Sequence, residues 1–175
     1  MSRKIVFITG GARSGKSSFA LKKASLVPGR KAFIATAEAI DPEMKDRIER
    51  HRRDRGPGWE TCEEPLRVSK AIEEMSESFD VLVLDCLTIW LSNVMWAGTD
   101  VDMEIENLVR TIERFSGNSP ATLFIVSNEV GMGIVPENEM ARKFRDLAGT
   151  LNQRVAEVSR EVYWTVAGIP VKIKG

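Results

Sequence analysis

Little in this chain can serve metal-cluster or disulfide chemistry. Its 175 residues include two cysteines, Cys62 and Cys86, and a single histidine, His51. The cysteines lack metal-ligand spacing, and two thiols are too few for a disulfide scaffold. An excess of charge of one sign is missing as well. Twenty-five Lys and Arg balance twenty-five Asp and Glu, so no global field points to nucleic acid or to an anionic membrane. No apolar run approaches the length needed to span a bilayer. Strand-forming residues begin so soon after Met1 that no signal peptide is expected. Repeats, low-complexity tracts and linkers are absent from the sequence. What remains is an ordinary globular composition, 43% hydrophobic and 29% charged. It predicts one domain over residues 1–175 with a sizeable core, in a reducing cytoplasm.

Against these absences one stretch stands out, Gly10-Gly11-Ala12-Arg13-Ser14-Gly15-Lys16-Ser17. It fits the pattern G-x-x-x-x-G-K-[ST], and its flanks give the pattern mechanical sense. Lys4 to Thr9 is rich in β-branched residues and reads as a buried strand; Ser18 to Ala24 reads as a helix that Pro28-Gly29 stops. In that setting glycines let backbone N–H groups converge on phosphate oxygens, and the helix N-terminus adds partial positive charge. Lys16 is predicted to reach the β- and γ-phosphates, and the Ser17 hydroxyl to ligate Mg²⁺. The chain is read as binding a nucleoside triphosphate.

The remainder alternates strands with helices. Lys31 to Thr36 predicts a second strand, Asp41-Pro42-Glu43 a helix start, and Gly56-Pro57-Gly58 its break. Met44, Ile48 and His51 share one face of that helix. Trp59 to Pro65 reads as a short extended piece and Leu66 to Met75 as a helix. Phe79 to Asp85 is a near-continuous apolar strand, Leu87 to Trp96 a buried helix, and Asp102 to Phe115 an amphipathic one. Ala121 to Ser127 predicts another strand, and Asn128 to Pro136 a loop with two glycines, where such sheets carry ligand contacts. A long helix follows with Met140, Phe144, Leu147, Leu151, Val155 and Val158 on one stripe. Glu161 to Val166 and Val171 to Lys174 close the chain as strands joined by Ala167-Gly168-Ile169-Pro170. The expected fold is α/β: a three-layer, phosphate-loop nucleoside-triphosphatase type. Its mostly parallel sheet has helices on both faces, and the terminal pair is positioned to add an antiparallel edge.

Two features leave alternatives open. Asp85, at the end of an apolar strand, reads either as the Walker B carboxylate serving Mg²⁺ or as a cap for the next helix. His51 lies among Arg50, Arg52, Arg53 and Arg55. This cluster reads as a solvated basic helix, as a phosphate or nucleic-acid patch, or as a nucleophile. In the last reading neutral imidazole attacks an α-phosphorus, while the arginines hold phosphates and depress the imidazole pKa. Zero net charge and few flanking aromatics disfavour nucleic acid. A glycine loop alone does not separate a small-molecule kinase, a GTPase switch and a motor ATPase. No N-K-x-D guanine-reading motif occurs, and the chain is short for a motor domain with partner modules. A single-step kinase and a nucleotide-gated binding module both remain as readings.

Several separated stretches carry a more specific likeness. They are Thr9 to Ser17; Ile34 to Ala37; Glu43-Met44 through Arg47-Ile48 to His51; Trp59-Glu60-Thr61 with Glu63; and Leu84 to Thr88. Asn128 to Asn138 is the most distinctive, followed by Ala141-Arg142, Phe144-Arg145-Asp146 and Asn152-Gln153. Over nearly its full length the chain resembles the bifunctional adenosylcobinamide kinase / adenosylcobinamide-phosphate guanylyltransferase family of cobalamin synthesis. The resemblance implies phosphorylation of the aminopropanol hydroxyl of adenosylcobinamide by ATP or GTP, then transfer of GMP from GTP through a guanylylated histidine. His51 matches that histidine. Implied nucleotide contacts are Gly10, Gly11, Ala12, Arg13, Ser14, Gly15, Lys16, Ser17, Ala35, Thr36, Ala37, Arg52, Arg53, Asp54, Arg55, Glu63 and Asp85, with Ser17 and Asp85 on Mg²⁺. Family members form cyclic homotrimers, so a homotrimer is implied. The stretch from Met95 to Ser119 carries no motif.

Overall fold

A computed structural model gives the fold and describes residues 4–38, 46, 48–49, 52–53, 55–118 and 120–175. The expected helix start at Asp41-Pro42-Glu43 lies outside these residues. Among them the elements run β1 (Lys4–Gly10), α1 (Lys16–Ser25), β2 (Lys31–Ala35), β3 (Trp59–Glu63), α2 (Val68–Ser76), β4 (Val81–Asp85) and α3 (Leu87–Trp96). Then come α4 (Val101–Asn118), β5 (Thr122–Val126), α5 (Glu139–Val158), β6 (Glu161–Val166) and β7 (Ile169–Lys174).

The strands form one sheet in the order β3-β2-β4-β5-β1-β6-β7, parallel except for the β6–β7 pair. Side chains alternate between its faces. Ile5, Phe7, Leu82, Leu84, Leu123 and Ile125 point toward α2, α3, α4 and α5, where a cluster centred on Trp90, Leu91, Leu108, Ile112 and Leu151 is sealed from solvent. Val6, Ile8, Val81, Val83, Phe124 and Val126 point the other way and pack with Ala20 and Ala24 of α1. Small residues on α1 allow its axis close approach to the sheet. That approach holds the first turn of the helix at the strand ends.

The short extended piece at 59–65 is a full parallel strand, β3, paired residue for residue with β2. Three expectations at element ends are corrected. The terminal turn is only Ala167-Gly168, both at positive φ (50° and 81°), the signature of a two-residue hairpin whose twist matches its strands. Ile169 and Pro170 therefore belong to β7, where an outer edge needs no N–H from proline. Trp96 ends α3 at 79% exposure rather than buried, and Met140 leaves the α5 stripe at 56% exposure. Met140 falls in the first turn, just after the cap formed by Asn138 Oδ1, which accepts from the Ala141 N–H at 3.0 Å.

One ion cluster ties β6 to both of its neighbours. Glu161 accepts from Lys4 on β1 at 2.6 Å, from Lys172 on β7 at 3.2 Å and from Tyr163 Oη at 3.0 Å, with Lys23 of α1 at 3.5 Å. Burial alone would raise this carboxyl, but the bonds from Lys4, Tyr163 and Lys172 and the charge of Lys23 prevail and lower it to about 2. A carboxyl depressed on folding stabilises above its unfolded value and loses that stabilisation as pH falls toward the folded one. Unfolding free energy is therefore expected to drop between about pH 5 and pH 2. Glu161→Gln should remove on the order of 2 kcal/mol at neutral pH and flatten that slope. Urea melts of both proteins at pH 7, 4 and 3 check this; parallel pH profiles would contradict it.

Candidate active site

The register brings the carboxyl ends of five strands into one row. Glu63 pairs with Ala35, Ala35 with Asp85, Asp85 with Val126, and Val126 with Ile8. The glycine loop leaves β1 directly after this row. By strand alternation Glu63, Ala35 and Asp85 all face the α1 side of the sheet, as Phe33, Val81 and Val83 do. Separated sequence motifs thus meet along one edge.

Gly10 and Gly15 are required by what surrounds them. Gly10 has φ 150°, and a Cβ there would lie 2.3 Å from the Thr165 carbonyl oxygen; Gly15 has φ 93°, and its Cβ would sit 3.2 Å from Gly168 Cα. The hairpin turn braces the loop, with the Gly168 N–H donating to the Ser14 carbonyl at 3.0 Å. Arg13 also adopts positive φ, 55°. Gly15 is the N-cap of α1 and offers no capping side chain, and the first turn holds no acid, whereas Lys22 and Lys23 occupy the last. The N–H groups at this helix start therefore face no competing side-chain acceptor from its own cap, an arrangement suited to an anion. Gly11, Ala12 and Arg13 are exposed, and Ser17 is half-buried in the first turn.

Lys16 is buried beneath the loop, its Nζ donating to the Gly11 carbonyl at 2.6 Å and lying 3.4 Å from Ser14 Oγ. Burial pushes its ammonium below the ordinary lysine range, and the charge of Asp85 opposes that shift. Arg55 feels Asp85 too. Burial and then Arg52 lower its pKa, while Asp85 and Glu63 counteract them. The Arg55 guanidinium lies 3.8 Å from the Phe33 ring centroid and donates to Thr61 Oγ1 at 3.1 Å, and among the described residues its buried Nε has no partner. Arg52 pairs with Glu63 at 2.7 Å. Arg53 is exposed on the same helical segment. His51 and Asp54 lie outside the described residues.

Asp85 ends β4, one residue before Cys86, the N-cap of α3, whose side chain makes no cap bond. Asp85 is not on the strand next to the loop, because β5 runs between β4 and β1. The residues just after β5, Ser127 to Glu129, consequently sit between loop and carboxylate, and the Glu129 N–H donates to the Gly10 carbonyl at 2.9 Å. Cys86 is buried, and burial and then the Asp85 charge push its thiol upward, which disfavours the thiolate. Among the described residues no three His, Cys, Asp or Glu side chains gather to hold a metal. One hydroxyl and one carboxylate, Ser17 and Asp85, suit Mg²⁺, which keeps waters and phosphate oxygens as its other ligands.

Thr36 and Ala37 continue from β2. Thr36 is fully buried; its hydroxyl donates to the Cys86 carbonyl at 2.9 Å and accepts from the Cys86 N–H at 2.8 Å. Asn93 of α3 donates to the Thr36 carbonyl at 2.9 Å and to that of Pro65 at 3.0 Å. Asn128 donates to Thr88 Oγ1 at 2.8 Å, and Asn152 of α5 donates to the Asn128 carbonyl at 3.0 Å. These amides pin the segments after β2 and β5 to α3 and α5. Sequence reasoning gave them no such supporting role, although an asparagine inside the apolar run Leu87–Trp96 was a usable signal. Beside them opens a pocket of about 340 Å³ lined by Glu38, Thr88, Ile89, Ser92, Asn128 and Phe144, among others.

Known proteins match the chain over nearly all of its length. Residues 6–173 match the family model described as cobinamide kinase / cobinamide phosphate guanyltransferase. The bifunctional adenosylcobalamin biosynthesis protein CobP of Pseudomonas aeruginosa is 41% identical over 170 residues, covering 96% of each chain. The protein CobU of Escherichia coli, named in the same terms, is 38% identical over 97% of this chain and 99% of its own. Among solved structures, an ATPase domain aligns with TM-score 0.53 at 11% identity, over 93% of this chain and 69% of that one. The RadB recombinase aligns with TM-score 0.53 at 14% identity, over 92% and 73%. These two likenesses carry the phosphate-loop fold alone.

Proposed function

The chain belongs to the cobinamide kinase / cobinamide phosphate guanyltransferase family, and from that premise we propose how its residues divide the two reactions. In the first, the aminopropanol hydroxyl of adenosylcobinamide attacks the γ-phosphorus of ATP or GTP. The bond to the β-phosphate oxygen breaks, the nucleoside diphosphate leaves, and the hydroxyl proton is released. Loop N–H groups and Lys16 hold the phosphates and offset the charge developing on the transferred group. Ser17 and Asp85 would hold Mg²⁺, which neutralises phosphate charge when bound.

In the second, an imidazole nitrogen of His51 attacks the α-phosphorus of GTP and expels pyrophosphate, with loss of the N–H proton. A phosphate oxygen of cobinamide phosphate then attacks the phosphorus of the guanylyl-histidine, the P–N bond breaks, and the departing nitrogen takes back a proton. A P–O–P bond forms, giving adenosyl-GDP-cobinamide, and the imidazole is restored. Arg52, Arg53 and Arg55 bind phosphate oxygens, and Asp54 belongs to the same nucleotide-contacting run. Ala35, Ala37 and Glu63 complete the nucleotide site, whereas Thr36, fully buried and bonded to Cys86 and Asn93, supports it from beneath rather than touching the nucleotide. The observation that carries this reading is the convergence of Lys16, Arg55, Glu63 and Asp85 on one edge of the sheet.

Incubation with GTP, Mg²⁺ and adenosylcobinamide should yield the phosphate and then the GDP-corrinoid, resolved by mass spectrometry. A product ending at the phosphate would support a single-activity kinase instead. Asp85→Asn should shift the Mg²⁺ concentration for half-maximal rate upward by about tenfold while nucleotide affinity moves less. An unchanged Mg²⁺ titration would remove Asp85 from metal binding. The proposal further holds that residues 1–175 act as one cytoplasmic domain and assemble as a homotrimer, which light scattering would report as about three times the 19.5 kDa chain. No helix among the described residues is long and apolar enough to cross a membrane.

A further inference from the structure

The pocket beside α3 meets the nucleotide contacts named above only at Ala37, and its chemistry differs from that of the glycine loop. Among the described residues its wall carries Thr88, Ser92, Asn93 and Asn128, with Glu38 as the one charged side chain and Ile89 and Phe144 as apolar ground. Phosphate would find no cation among these residues. A neutral, amide-bearing ligand would find donors and acceptors. The pocket also stands at the right place. Thr88 and Asn128, joined by a hydrogen bond, follow β4 and β5; β4 ends in Asp85, and β5 lies next to the glycine-loop strand. Phe144 packs with the cluster on the α5 side of the sheet and Ile89 with the α1-side cluster, the side Asp85 faces, so the pocket spans the strand ends. An acceptor seated here would lie beside the nucleotide along that row.

Next to the pocket, the loop after β5 turns apolar side chains outward. Met132 is 75% and Ile134 97% exposed, with Val130 and Val135 also uncovered. Val130 reaches the pocket wall itself, so pocket and loop form one continuous surface. Isolated exposed apolar residues are ordinary, but four within six residues at a pocket mouth form a patch.

Resting on the family reading above, we propose that this pocket is the corrinoid subsite: the aminopropanol arm and its adjoining amide enter it, and the macrocycle lies against the collar formed by Val130, Met132, Ile134 and Val135. Size supports the division. A cavity of about 340 Å³ suits an arm of that kind but not a corrin ring, which must remain outside on an apolar support. Charge agrees as well, because the alkylcobalt(III) corrin centre is cationic and Glu38 is the charged group on the wall. The arm's amide matches the side-chain amides and hydroxyls of Asn128, Thr88 and Ser92.

The test is a volume series at Ser92, which lines the pocket and lies outside the nucleotide site. Across Ser92→Ala, Ser92→Val and Ser92→Phe, the KM for adenosylcobinamide should climb with side-chain size, by about tenfold or more for phenylalanine. Affinity for a fluorescent GTP analogue should stay within about twofold of wild type in all three. If the phenylalanine variant does not fold, the alanine-to-valine step still decides. A flat KM across the folded members, or a matched loss of nucleotide affinity, overturns the subsite. Ile134→Asp should raise the same KM at unchanged molecular mass; an unchanged KM, or a change in mass, assigns the loop to a contact between copies and removes the collar. Wild-type turnover of adenosylcobinamide is the control that separates the two claims. If wild type does not phosphorylate it, the family function fails; if it does and the series is flat, only the subsite fails.

Discussion

Replacing His51 with asparagine is expected to abolish guanylyl transfer and covalent GMP labelling while the kinase stays within about tenfold of wild type. The chain has no second imidazole to take over. Loss of an attacking nitrogen removes the covalent route entirely, so the fall should be at least about a thousandfold. Phosphoryl transfer to a hydroxyl needs the loop, Lys16, Mg²⁺ and the acceptor, and none of these is an imidazole. The moderate kinase loss allowed for reflects Arg52 and Arg55, whose bonds to Glu63 and Thr61 position the same helical segment. Both assays are run on one preparation, with melting curves alongside. A folded His51→Asn protein that still transfers GMP at the normal rate would take His51 out of the mechanism.

Lys16→Ala is expected to strike both reactions together, by about a hundredfold to a thousandfold each, because one ammonium serves the phosphates in either step. The fold should survive. Lys16 is desolvated beneath the loop, with its pKa pushed down by burial, so removing its charge relieves a cost while deleting the bond to the Gly11 carbonyl. Melting temperature should move by a few degrees at most, in either direction. Lys16→Arg should not rescue, since a planar fork does not fit where Nζ sits between Gly11 and Ser14. Loss of one activity with retention of the other would contradict a shared loop. Kinase turnover within a few-fold of wild type would contradict the loop's role altogether.

The local parts of this site were legible in the sequence because they obey short-range rules. Strand, glycine loop and helix at Lys4–Ser25 follow from β-branched residues, glycine spacing and a proline stop. The apolar strand ending in Asp85 is legible on the same grounds. The order of the strands is not. That β5 separates β4 from β1 depends on how helices on two faces pack, and no spacing within one segment encodes it. The two-residue turn at Ala167-Gly168 escaped because Ile169-Pro170 has the composition of a turn, yet an outer edge strand tolerates proline. Asn93, Asn128 and Asn152 were missed as supports for a related reason. Each acts on a backbone carbonyl or hydroxyl more than twenty residues away, which only the fold brings near. Arg55 was legible as part of the basic cluster around His51 and as a nucleotide contact by resemblance, but its stacking on Phe33 and the influence of Asp85 on it depend on how β2, β3 and β4 pack together.

The central claim is that one chain carries both a phosphoryl-transfer loop and a guanylylated intermediate, and a pulse and chase addresses it directly. The protein is incubated with GTP labelled at the α-phosphate and Mg²⁺, freed of nucleotide, and then given unlabelled cobinamide phosphate. The account predicts a label on the chain that is acid-labile and alkali-stable, as a phosphoramidate should be, located on the peptide containing His51. Addition of cobinamide phosphate should move it stoichiometrically into the GDP-corrinoid. No label on the chain in the presence of normal kinase turnover, or a label that cobinamide phosphate does not discharge, would contradict it.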